Sequence, residues 1–104
     1  MYVYTSWKSR PFTNEQSDRF MGIWGKIETD LAAIPSLERI CWFLFADGSG
    51  GFQVVKTNDV DAANAFSLEV SLALGEFLEF ESKVLLDLEA AMPAILKAFE
   101  RSKA

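Results

Sequence analysis

The chain is 104 residues long, half of them hydrophobic, with a net charge of −5 and no histidine. That length suits one domain over residues 1–104. An acidic chain without a run of Lys or Arg lacks the basic face that nucleic acid or an anionic membrane requires, so neither is an expected partner.

Residues 2–8 are β-branched and aromatic and read as a first strand, which Arg10-Pro11-Phe12 breaks. Thr13 with Gln16 three residues on is a capping box. Behind it Phe20, Trp24, Ile27, Leu31 and Ile34 recur at helical spacing, which predicts a helix over 14–33 closed by Pro35. Residues 38–46 form the most β-prone run in the chain. Asp47-Gly48-Ser49-Gly50-Gly51 then offers the positive φ values of a hairpin loop, and residues 52–57 return as a third strand. Asn58 or Asp59 caps a second helix through Ala62, Ala63, Phe66 and Val70, for which Gly75 is a left-handed stop.

Residues 77–85 alternate: Leu78, Phe80, Ser82 and Val84 point one way, Glu79, Glu81 and Lys83 the other. A last helix covers 88–101, with Pro93 tolerable if the helix starts near Glu89. The order βαββαβ plus a helix predicts an α+β, ferredoxin-like fold. Its sheet is antiparallel and four-stranded, in the order 4-1-3-2, with two helices on one face.

The other face of that sheet should be polar in a monomer. The second strand disagrees, with Ile40, Trp42 and Leu44 on one side and Cys41, Phe43 and Phe45 on the other. Both sides need a cover, from the terminal helix or from a second subunit. A homodimer through the sheet face is the expectation.

The stretches Asp47-Gly48-Ser49-Gly50-Gly51-Phe52 and Val54-Val55-Lys56-Thr57, the Asp- and Ala-rich helix start through Phe66, Phe80-Glu81 and Val84-Leu85-Leu86-Asp87 resemble a bacterial family of unknown function in the dimeric α+β barrel superfamily. The resemblance covers residues 38–90. It implies a dimer whose two sheets face each other. It also admits activities from cofactor-free monooxygenases to small isomerases, among which fold cannot choose. Lys83 stands where such relatives tend to have proline, and the second helix lacks the tryptophan they tend to carry.

Without histidine the commonest general base, metal ligand and haem ligand are missing. No metal site and no cofactor are expected, and any chemistry falls to carboxylates, Lys, Tyr, Ser or Cys41. That single cysteine cannot form an internal disulfide, sits in an apolar strand as a small hydrophobe, and fits a reducing cytoplasm. Met1 to Thr5 reads as strand, not as a signal peptide. Glu79 and Glu81 share a strand face and either act as an acid–base pair or protect an edge.

Phe20 and Trp24 with Trp42, Phe43 and Phe45 are either plain core or the lining of an apolar pocket between the first helix and the sheet. Lys8 and Arg10, near the first helix's amino end, would give that pocket an anion-favouring pole. The ligand so described is small and apolar with a carboxylate, like a fatty acid. The competing readings are a cofactor-independent monooxygenase- or isomerase-like enzyme, and a structural or regulatory dimer without a ligand.

Overall fold

The computed structural model describes residues 1–103. It runs β1 (Tyr2–Ser9), α1 (Asn14–Ala32), β2 (Leu37–Leu44), β3 (Gly50–Thr57), α2 (Val60–Leu74), β4 (Leu78–Leu85) and α3 (Leu88–Lys103). The four strands form one antiparallel sheet in the order β2-β3-β1-β4, the ferredoxin-like order expected.

The helix starts follow from their caps. Gln16 donates its backbone N–H to Thr13 Oγ1 at 3.2 Å, and Thr13 donates its own to Gln16 Oε1 at 2.8 Å. Two otherwise orphaned donors are thereby satisfied. Asp59 caps α2 by accepting from Ala62 N–H at 3.0 Å. Gly75 ends α2 in the right-handed region, with φ −62°, so it is not the left-handed stop that its identity suggests.

The loop glycines also divide differently from expectation. Only Gly48 has positive φ, at 74°. Gly50 and Gly51 lie within β3 and are required by close approach. A methyl group on Gly50 would strike the Trp7 carbonyl, and one on Gly51 would strike the Phe43 carbonyl and the Trp7 ring. The loop itself is closed by Asp47, whose Oδ1 accepts from Ser49 N–H at 3.0 Å and Ser49 Oγ at 2.7 Å. Those bonds hold the Asp47 carboxyl below its usual range.

The ladders separate the two faces. Val3, Thr5 and Trp7 of β1 pair with Val55, Gln53 and Gly51 of β3 and with Val84, Ser82 and Phe80 of β4, beneath the helices. Tyr2, Tyr4, Ser6 and Lys8 point to the opposite, uncovered face with Phe52, Val54 and Lys56. In β2 the alternation breaks. Arg39 pairs with Val55 and Cys41 with Val54, so Ile40 is the extra residue of a bulge. Arg39 therefore shares the helix-covered face with Trp42, although strict alternation would have put it with Cys41 and Phe43.

The fully buried core is small. Leu74, Phe77 and Leu78 lie at its centre, ringed by Trp7, Phe20, Ile23, Ile27, Val70 and Phe80. Phe77 is completely buried and meets Phe12 and Phe20 edge-on at 5.6 and 5.5 Å. Helix α3 contributes nothing to this core, because none of its residues is buried. It begins at Leu88, so Pro93 falls in the second turn and not the first. There its missing N–H leaves the Glu89 carbonyl without a helical partner, a cost of about 3 kcal/mol.

Candidate functional site

A cavity of about 100 Å³ lies between α1, α2 and the covered face of the sheet. Its walls are mainly aromatic and aliphatic. α1 contributes Phe20, Trp24, Ile27 and Leu31; the sheet contributes Trp7, Trp42, Leu78 and Phe80; α2 contributes Phe66, Val70 and Leu74. The helical spacing of the α1 residues aims them at one side, which is why the sequence alone could pick out Phe20 and Trp24. On the floor the Thr5 and Ser82 hydroxyls share a hydrogen bond of 3.1 Å.

One wall is polar, and its two charges are paired with each other. Arg39 donates from Nη1 to Glu28 Oε2 at 2.9 Å and from Nη2 to Glu28 Oε1 at 2.8 Å. Its Nε donates to Gln53 Oε1 at 3.1 Å. Trp24 Nε1 donates to Glu28 Oε1 at 2.9 Å. The guanidinium lies over Trp42, 4.0 Å from the ring centroid, and Trp42 meets Trp24 edge-on at 5.6 Å. The Arg39 bond foremost, with help from Trp24 and the Arg39 charge, holds the Glu28 carboxyl below its ordinary value, against partial burial, which pushes it up. Glu28 is thus a fixed anion and Arg39 a neutralised cation.

Of the residues singled out from sequence, the structure brings Phe20, Trp24 and Trp42 together in this cavity. It places Phe43 and Phe45 elsewhere. Both lie on the uncovered face, where they pack on Phe52 at 5.5 and 6.4 Å between ring centroids. The pleat is the reason: neighbours of Trp42 must point away from it.

Lys8 and Arg10 are also outside the cavity. They line a broad open depression with Glu79, Glu81, Phe45 and Ser49. Arg10 pairs with Glu79 at 3.4 Å, and Lys8 lies opposite Glu79 in the ladder. Glu79 and Glu81 stand beside these two basic side chains, so the depression is of mixed charge. Glu81 pairs with Lys83 at 3.4 Å, so each edge carboxylate has a cationic neighbour. Cys41 is half-buried on the uncovered side of β2.

Sequence reading missed Glu28, Arg39 and Gln53. Glu28 sits four residues after Trp24, a helical spacing that puts the two on one side. Arg39 was hidden by the bulge. Neither Tyr2 nor Tyr4 lines the cavity. Among the described residues no cluster of three or more potential metal ligands occurs, and no helix is long and apolar enough to cross a membrane.

No family model matches the chain, and no curated protein matches it either. Solved structures do. SnoaB, a cofactor-independent oxygenase from Streptomyces nogalater, aligns with a TM-score of 0.60 and 13% identity over 83% of this chain and 90% of its own. A putative chlorite dismutase aligns with a TM-score of 0.59 and 12% identity over 80% of this chain and 42% of its own. At such identities the likeness concerns the path of the backbone and not the chemistry. The chain thus has a four-stranded ferredoxin-like α+β fold with an uncovered second sheet face, and its backbone path is similar to that of these two structures.

Proposed function

We propose that the protein is a homodimer, paired through its uncovered sheet faces, that holds a small, largely apolar ligand in the cavity between α1, α2 and the sheet. The observation that carries the ligand is the unfilled, aromatic-walled space beside one polar wall, the usual make-up of a small-molecule site. A purely structural dimer would have no use for that space.

Its volume and charge narrow the ligand. An apolar cavity of about 150 Å³ accepts benzene, so about 100 Å³ suits a single ring or a short chain and not a long acyl tail. Every charge at the wall is matched, because Glu28 takes both terminal nitrogens of Arg39. An incoming carboxylate would meet the Glu28 anion. The carboxylate-bearing, fatty-acid-like ligand therefore gives way to a neutral one with a single hydrogen-bonding group.

Support for the dimer comes from the uncovered face. Phe43 is 58% exposed and Phe45 is 44% exposed, yet they cluster with Tyr4 and Phe52. Apolar clusters of this kind mark interfaces.

The enzyme reading keeps a specific observation in its favour, the shared fold with a cofactor-independent oxygenase. In that reading Glu28 and Arg39 would bind and orient the polar group of a ring-bearing substrate. Glu28, held ionised, is a weak base near neutral pH and serves better as a fixed counter-ion.

Thermal shift with p-cresol and with hexanoate tests the ligand class. A rise in melting temperature with p-cresol alone is expected. A response to hexanoate alone would restore the anionic ligand, and no response to either would remove the ligand site. Dioxygen uptake in the presence of p-cresol would establish the enzyme.

A further inference from the structure

Helix α3 cannot account for its own stability. It is 16 residues long, buries none of them and carries Pro93 in its second turn. Isolated helices of such length are marginal even with favourable sequences. Yet its apolar residues are ordered into a stripe. Leu88, Met92, Leu96 and Phe99 recur at helical spacing, and all are exposed, Phe99 by 61% and Leu88 by 67%. A surface outside the helix must cover them.

The chain's own body does not supply that surface. Its long axis measures 61 Å against 30 and 22 Å, and its radius of gyration is 17.2 Å. A compact chain of this length has a radius of gyration of about 13 Å. The accessible area is 7603 Å². An average folded monomer of this mass exposes about 5,800 Å², so each chain carries an excess of about 1,800 Å².

The sheet face accounts for only part of that excess, because the α3 stripe is exposed outside it. Four strands about 4.8 Å apart and eight residues long present a footprint of about 500 Å². A standard interface takes about 800 Å² from each partner. The α3 stripe is the other large apolar surface, and it is continuous with the first. Only Leu86 and Asp87 separate α3 from β4, whose last residue, Leu85, pairs with Tyr2 on the uncovered side.

We infer that α3 is an exchanged arm: in the dimer proposed above, on which this inference rests, the Leu88–Met92–Leu96–Phe99 stripe of each subunit lies on the body of a second copy of this chain. A lipid surface is the poorer occupant. α3 carries three basic and two acidic residues, and the whole chain has a net charge of −5, so nothing draws it to anionic lipid.

The test uses the full chain. The photo-crosslinker benzoylphenylalanine, placed at position 99 in otherwise unchanged protein, should give covalent dimers on illumination. The double variant Leu96→Asp with Phe99→Asp should weaken the dimer at least 30-fold by sedimentation equilibrium. If the unchanged chain is dimeric but crosslinks form only within one chain and the variant dimerises normally, the arm is overturned and sheet pairing survives. An unchanged chain that is monomeric at micromolar concentration overturns both. Capture of α3 by phosphatidylcholine vesicles, with assembly unaffected by the variant, would also overturn the arm.

Discussion

The Glu28 carboxylate takes both terminal nitrogens of Arg39, at 2.8 and 2.9 Å, and so ties the C-terminal part of α1 to the second strand of the sheet. The pair is about one-fifth to one-third exposed, between the dry interior and water. Bidentate geometry and partial burial put it above an ordinary surface ion pair, whose net contribution is under about 1 kcal/mol.

Replacing Arg39 should show that difference. Arg39→Met removes three hydrogen bonds and leaves Glu28 partly buried without its cation, for an expected loss of about 1–2 kcal/mol. Arg39→Lys should recover less than half, because an ammonium cannot span both oxygens or lie flat on Trp42. Urea denaturation of the three proteins checks the order. Equal stability of the Met variant and the parent would show that the pair contributes nothing.

The same pair sets a dependence on pH. The folded carboxyl of Glu28 is held below its ordinary value of 4.5. A depressed carboxylate contributes stability that is present above its unfolded value and is lost as pH falls through the folded one. Stability should therefore drop as pH is taken below about 4.5, and Glu28→Gln should flatten part of that slope. Melting curves from pH 3 to 7 measure it; identical slopes would deny Glu28 the role.

The glycines supply an opposed pair of expectations. Gly51→Ala places a methyl group against the Phe43 carbonyl and the Trp7 ring, and should cost about 1–3 kcal/mol. Gly22 and Gly25 lie within α1 with open space where a Cβ would sit. Gly22→Ala and Gly25→Ala should each stabilise by about 0.5–1 kcal/mol, because alanine restricts the unfolded chain. Melting temperatures that move the same way for all three substitutions would contradict the close approach at Gly51.

On the uncovered face, Phe43→Asp introduces a charge beside Phe52 without entering the cavity. The dimer should dissociate by light scattering, while p-cresol binding within the subunit survives. A variant that stays dimeric would place the interface on another surface.

The sequence carried the element order, the capping box at Thr13, a cap at Asn58 or Asp59 and the grouping of Leu78, Phe80, Ser82 and Val84 on one side of the last strand. These are local: each is fixed by side-chain spacing or by bonds to residues two or three away. It also carried a part of the cavity lining, since Phe20 and Trp24 follow from helical periodicity. Tertiary structure decided the rest. The bulge at Ile40 depends on how β2 registers against β3, and it alone turns Arg39 toward Glu28. Whether Gly50 and Gly51 serve a turn or a crowded strand depends on Trp7, more than 40 residues away in the chain. Alternation says that two sides of β2 differ but not which one the helices cover, so only the assembled sheet could send Trp42 to the cavity and Phe43 to the uncovered face. The extension of α3 was likewise invisible, because an apolar stripe records a need for contact and not the surface that meets it.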